Sequence, residues 1–467
     1  MLFNSLQFIF FFIVVTLAYY SLPHRGRIWL LLLASCYFYA VFKPIYILIL
    51  FVTIIIDYFA GIWIAQTTGS KRKWILVLSL VSNIGFLAYF KYFNFFIENL
   101  NSTLFRIGSN THFDILNIIL PIGLSFHTFQ AMSYTIEVYR GNQKAEKDFS
   151  IYALYVMFYP QLVAGPIERP QNLLWQFHTY FKYDFENIKA GLMRISWGMF
   201  KKVVIADRLA MVVDFSYDNP QNHNGLTLLV ATLFFTFQIY CDFSGYSDIA
   251  IGTARVMGFK LMDNFDAPYL STSINEFWRR WHISLSSWFR DYLYIPLGGN
   301  RVGEFRKYFN LFFVFMMSGL WHGAAWTFII WGALHGIYLV FAQIRDKYFN
   351  FSLSKLPTIN KYINLAITFI LVMFTWVFFR AKDLSNAKLI FQKMFTVSSY
   401  DAIATPFHFN EMIFCWILIL ILLLKDKFLT NIFTQNTSKF YIVFTIMLVF
   451  CYFLGVFTSN QFIYFQF

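Results

Sequence analysis

Two histidines are the side chains of this sequence best suited to chemistry. His322 sits between Trp321 and Gly323 in FNLFFVFMMSGLWHGAAWTFIIWGALHGIYLV (309–340), a stretch that is apolar almost throughout and long enough for more than one membrane pass. An ionisable side chain is costly at bilayer depth, so a histidine there marks a functional site by default. Ser318, Gly319, Gly323, Ala324 and Ala325 surround it with small side chains that let backbones or a substrate approach closely. His282 lies upstream in FWRRWHISLSSWFRDYLYIPLGGNR (277–301), which reads as a membrane-surface segment. Imidazole titrates near neutrality, so it can serve as a general base or carry an acyl group. A third histidine, His335, would face away from His322 on a continuous helix and reads as a hydrogen-bonded structural residue.

Four polar islands must position these groups. In PIGLSFHTFQAMSYTIEVYRG (121–141), His127, Gln130, Tyr134 and Glu137 fall on one helix face and line either an interhelical seam or a substrate path. In QLVAGPIERP (161–170), Gly165-Pro166 breaks the helix and serves the fold. In CDFSGYSDIAIG (241–252), Asp242 and Asp248 either do acid–base or cation-binding work, or cap a broken helix and pair with Arg255 or Lys260. The fourth island holds His282. There the spacing predicts an interfacial helix with Trp278, Trp281, Leu285 and Trp288 on one face and Arg279, His282, Ser286 and Arg290 on the other. The tight loop from Tyr294 to Arg301, with Asn300, can cradle an anionic group.

The bulk composition fixes the class. Hydrophobic residues make up 58% of the 467 and charged residues 13%, with a mean hydropathy of +0.54, which a water-soluble chain of this length does not show. The net charge of +13 comes from short basic loops beside apolar runs, the signature of positive-inside topology rather than of nucleic-acid binding. On that rule Arg25, Arg27 and Lys71-Arg72-Lys73 face the cytoplasm, and the run Leu6–Leu22 reads as an uncleaved anchor. Cys36, Cys241, Cys415 and Cys451 are scattered, without disulfide or metal spacing. The residues alone describe a polytopic membrane protein with two candidate histidines, a description that a transporter of an ion or glycan would share.

The segments WHISLSSWFRDYLYIPLGGNR and SGLWHGAAWTFIIWGALHG resemble the membrane-bound O-acyltransferase (MBOAT) family, in its bacterial branch of alginate and peptidoglycan O-acetyltransferases. The opening MLFNSLQFIFFF, the first three polar islands and the closing FIYFQF are similar to that branch, so the resemblance runs through nearly the whole chain. The D-alanyl transferases of teichoic acids share the architecture and fit the His282 segment less well. The resemblance implies an all-α polytopic fold of roughly ten to twelve transmembrane helices around a central funnel or tunnel, with re-entrant and interfacial helices. Residues 1–467 would form a single integral-membrane domain without a soluble domain. His322 and His282 would be catalytic, with His282 at the opposite end of the path from His322. Arg279, Arg280, Arg290 and Asn300 would hold the donor, and Trp321, His127, Gln130 and Asp242 would line the tunnel. The implied reaction moves an acetyl group from cytoplasmic acetyl-CoA to an exported polysaccharide with an extracytoplasmic SGNH-type partner. It would take place in the bacterial cytoplasmic (inner) membrane, with no metal, bound cofactor or nucleic acid.

Overall fold

A computed structural model describes the chain except for residues 119, 164, 349–356, 399–400, 430–435, 458–461 and 464–467. The closing FIYFQF motif therefore lies outside the described residues beyond Phe462 and Ile463. The described residues form helices and connecting loops, and their only strand-like pairing is an antiparallel bridge between Phe265 and Trp281. Hydrocarbon cannot hydrogen-bond a backbone, so a chain this apolar must satisfy its amides and carbonyls within helices.

Six helices among the described residues are long and apolar enough to cross a membrane: Tyr46–Gln66, Gly69–Arg106, Gly225–Val256, Trp326–Tyr348, Pro357–Arg380 and Thr437–Leu454. The protein is thus an all-α, multi-pass membrane protein. Other expected spans are shorter or serve different ends. The apolar run 151–163, long enough by composition to suggest a tilted or re-entrant span, forms two short helices, Phe149–Met157 and Tyr159–Leu162, and Tyr152 to Tyr159 are wholly buried. Such a segment is core rather than a lipid-facing span.

The chain divides into two compact units: Met1–Ile195 with Ile249–Met262, and Ser196–Asp248 with Asp263–Phe467. In the first, the expected polar stripe is buried in the Leu124–Arg140 helix. Gln130 donates to the Tyr155 carbonyl and Tyr134 accepts from the Glu146 amide. Glu137 accepts from Arg140, Asn142 and Gln171. Three of the four residues therefore form an interhelical seam. His127 differs, because neither of its buried ring nitrogens has a hydrogen-bond partner among the described residues. Asp57, wholly buried, is held by Ser79 at 2.6 Å and Asn83 at 2.8 Å. Beyond the Gly165-Pro166 pair, Glu168 is buried and accepts from the Met262 amide.

In the second unit the Glu304–His322 and Trp326–Tyr348 helices pack backbone to backbone. Each of Gly319 and Gly332 lies against the other, with their facing atoms 3.0–3.1 Å from an added Cβ, and each also faces a carbonyl, of Phe328 and Phe315 respectively. Any side chain at these positions must push the two helices apart. Gly319→Val is expected to destabilise the protein by at least about 1–3 kcal/mol, the usual cost of overpacking. Thermal unfolding of the detergent-solubilised protein checks this, and an unchanged transition would show that the helices are not in such close contact.

Candidate active site

The segment holding His282 is not the continuous interfacial helix that its spacing predicts. It breaks into Ile274–Arg280 and Ile283–Phe289. Trp281 is extended (φ −101°, ψ 127°) and His282 is left-handed (φ 44°, ψ 55°). Only one other described non-glycine residue, Ala267, has a positive φ. A left-handed non-glycine residue costs about 1–3 kcal/mol and persists only where its surroundings over-determine it. Here the strand-like segment 264–266 supplies that constraint: the Asp266 amide donates to the Arg280 carbonyl at 2.9 Å, and the Ile283 amide donates to the Asn264 carbonyl at 3.0 Å. The kink turns His282 inward, to 0% exposure, rather than toward headgroups.

His322 arrives from the other direction as the last residue of the Glu304–His322 helix. The chain turns at Gly323, where an added Cβ would collide with the Phe328 ring, and re-enters a helix at Trp326. The His322 imidazole is 3% exposed, with the rings of Trp321, Trp331 and Phe379 centred 4.9, 5.0 and 5.4 Å away. The His282 ring is centred 6.4 Å from that of His322. The two histidines therefore share one buried enclosure, and the expectation that they occupy opposite ends of a path does not hold. Phe243 meets the His282 ring edge-on at 4.6 Å, and Trp321 lies 6.2 Å from it.

His335 is the structural residue expected of it. Trp278 donates its indole N–H to Nδ1 at 3.3 Å, so Nε2 carries the proton and donates to Thr375 Oγ1 at 3.0 Å. Trp331, which touches the rings of both His322 and His335, is wholly buried. Its indole N–H and that of Trp376 have no hydrogen-bond partner among the described residues. Unspent donors beside a candidate acyl-transfer centre are the kind of group that can stabilise a developing oxyanion.

The residues expected to hold a donor are placed differently from His282. Arg279, Arg290 and Asn300 are exposed and Arg280 is half-buried. Arg280 pairs with Glu276 at 2.9 Å and Arg290 with Asp291 at 2.7 Å, while Asn300 accepts from the Tyr294 hydroxyl at 2.7 Å. Asp242 and Asp248 also depart from expectation. The Gly225–Val256 helix runs unbroken through both, so neither caps a broken helix, and buried lysines pair with them. Lys202 bridges Asp242 at 2.6 Å and Asp207 at 2.8 Å, and Lys201 pairs with Asp248 at 2.7 Å and Ser244 at 2.7 Å. A π-helical turn, Phe200–Ala206, carries both lysines into the interior. The other Asp242 oxygen accepts from the Ile463 amide at 2.8 Å. Asp242 is thus committed to an ion pair and a backbone contact, which is a structural task.

Asn264 also belongs to this site. It is buried, and its Oδ1 lies 3.1 Å from His282 Nδ1, 3.2 Å from the Ser284 amide and 2.9 Å from Ser284 Oγ. No charge or motif spacing signals it, because its partners are 18 and 20 residues away in the sequence.

Removing the cation of the lysine–aspartate cluster tests its role. Lys202→Met leaves Asp207 and Asp242 buried without their shared partner and is expected to cost about 3–5 kcal/mol, the usual penalty for breaking a buried pair. Chemical denaturation in detergent measures it. Adding Asp242→Asn should recover part of the loss, and a double variant as unstable as the single one would contradict the pairing.

Comparison with known proteins identifies the family. The model for the membrane-bound O-acyltransferase family matches residues 147–381, the part of the chain that contains both histidines. The chain is 41% identical to the probable alginate O-acetylase AlgI of Pseudomonas aeruginosa over 407 residues, covering 86% of this chain and 76% of that protein. It is 39% identical to the peptidoglycan O-acetyltransferase of Helicobacter pylori over 431 residues, covering 84% and 80%. A more distant relative is the teichoic acid D-alanyltransferase of Bacillus subtilis, 27% identical over 280 residues, covering 57% and 70%. With its helical membrane fold and two enclosed histidines, the chain belongs to the membrane-bound O-acyltransferase family and is an O-acyltransferase.

Proposed function

We propose that this protein moves an acetyl group from cytoplasmic acetyl-CoA for O-acetylation of an exported cell-envelope polysaccharide, peptidoglycan or an alginate-like polymer. The observation that carries the reading is the pair of buried imidazoles 6.4 Å apart in an aromatic enclosure. The names of the Pseudomonas and Helicobacter relatives, a probable alginate O-acetylase and a peptidoglycan O-acetyltransferase, support acetyl as the group and a polysaccharide as the acceptor. D-alanyl transfer is the second reading, favoured only by the Bacillus relative, which matches a smaller share of the chain.

In the proposed reaction a hydroxyl oxygen attacks the thioester carbonyl carbon. His322 takes the hydroxyl proton as the C–O bond forms, then returns it to the departing thiolate as the C–S bond breaks. A covalent acyl-imidazole would use the same residue as nucleophile. His282 belongs to the same centre rather than to the donor's entrance. Arg279 and Arg290, exposed and basic, suit the phosphates of an incoming donor. Under this reading the whole chain works as a single integral-membrane domain of the bacterial inner membrane, with a tunnel joining its two sides. An extracytoplasmic SGNH-type transferase completes delivery to the polymer.

The test is acetyl transfer from radiolabelled acetyl-CoA by purified protein in nanodiscs, with the acceptor or partner present. His322→Ala is expected to lower the maximal rate by about 10²–10⁴-fold, the usual loss with a general base, at every donor concentration. His282→Ala should lower the maximal rate and leave the acetyl-CoA dependence unchanged. Rescue of His282→Ala by excess donor would return that residue to the entrance, and near-normal activity of His322→Ala would refute the reading.

A further inference from the structure

We infer that Asn264 is a positioning residue that fixes the tautomer of His282, so that the imidazole faces the reacting groups as a hydrogen-bond acceptor through Nε2. The inference rests on the acyl-transfer reading only for its consequence; the tautomer itself follows from hydrogen-bond geometry.

The oxygen and nitrogen of the Asn264 amide are told apart by their partners. A backbone N–H can only donate, and the Ser284 N–H points at Asn264 Oδ1 from 3.2 Å. Turning the amide over would set its NH₂ against that N–H, donor against donor. The oxygen is therefore fixed on the His282 side, and Nδ2 is left to donate to Ser247 Oγ at 3.3 Å. A carbonyl oxygen only accepts, so the His282 nitrogen 3.1 Å away must carry a hydrogen. The neutral ring then has its proton on Nδ1 and its lone pair on Nε2. Neutrality follows from burial: His282 lies outside the six membrane-length helices, and desolvation pushes its pKa down to about 3. Ser284 Oγ, 2.9 Å from the same oxygen, adds a second anchor to the amide.

The chemical consequence is specific. With Nδ1–H spent on Asn264, His282 can accept a proton or a hydrogen bond from a hydroxyl or from a neighbouring imidazolium, but its neutral form cannot donate to an oxyanion. It therefore stands on the proton-accepting side of the reaction, and oxyanion stabilisation must come from elsewhere. Asn264 itself never touches substrate in this scheme. Its backbone carbonyl also receives the Ile283 N–H, so one residue fixes both the kink and the ring it presents.

Nitrogen NMR of protein labelled at histidine, reconstituted in lipid, reads the tautomer directly, with His282→Gln identifying the His282 signals. Wild type is expected to show Nδ1 protonated and Nε2 unprotonated, and Asn264→Leu, of similar size, to lose that preference. In the acetyl-transfer assay Asn264→Leu should lower the maximal rate by about 10²–10⁴-fold without changing the acetyl-CoA dependence, as loss of a correctly held base does. Asn264→Asp keeps an acceptor at the same place and should retain both the tautomer and activity well above that of the leucine variant. An Nε2-protonated His282 in wild type would overturn the inference, as would an unchanged Nδ1–H signal in Asn264→Leu. The wild-type spectrum needs no variant to fold. An absence of acetyl transfer by wild type would instead fault the proposed reaction and leave the tautomer measurement standing.

Discussion

An imidazole in an apolar interior has one nitrogen that must donate and one that must accept, and membrane surroundings supply neither partner. That constraint accounts for much of the second unit. His335 meets it with Trp278 on one side and Thr375 on the other, which fixes its proton on Nε2. At His282 the Asn264 oxygen places the proton on the opposite nitrogen. The two rings thus carry their protons on opposite nitrogens. The chemistry of each follows from its partners.

Holding His282 so requires backbone strain, a left-handed residue between two short helices, and a scaffold rigid enough to keep it there. The Phe265–Trp281 bridge gives local restraint. Phe243 and Phe265 pack on the imidazole from the Gly225–Val256 helix and the strand-like segment. The same long helix is tied on another side by Lys201 and Lys202 through Asp248 and Asp242. Buried ion pairs contribute little net stability, but breaking one is costly, so they hold helices in a single register. The glycine contact between Gly319 and Gly332 sets the other wall, because it brings the helix ending at His322 against the helix carrying Trp331.

Much of this was legible in the sequence. The helical membrane class followed from composition, and the family from WHISLSSWFRDYLYIPLGGNR and SGLWHGAAWTFIIWGALHG. The offset of His335 along a continuous helix reads as structural; the helix breaks at Gly323, and the hydrogen bonds from Trp278 and to Thr375 are what give it that role. The placement of His282 was not legible. Helical periodicity put it on a polar face with Arg279 and Arg290, but periodicity presumes an unbroken helix, and a left-handed residue at position 282 has no signal in local residue types. Asp242 and Asp248 were visible as acids in an apolar stretch, yet their lysine partners lie about forty residues upstream on a π-helical turn that moves consecutive side chains out of α-helical phase. Asn264 was invisible for the same reason: its importance lies in pairings distant along the chain.

The central claim is that His282 and His322 act as one unit rather than as successive stations. A double-mutant cycle on the maximal rate of acetyl transfer tests it most directly, comparing His282→Ala, His322→Ala and the combined variant. Groups that act together lose most of their joint effect when either is removed. The double variant is therefore expected to be about as slow as the slower single variant. Losses that multiply, so that the double variant is slower by the product of the two separate effects, would contradict the account and place the two histidines in independent steps.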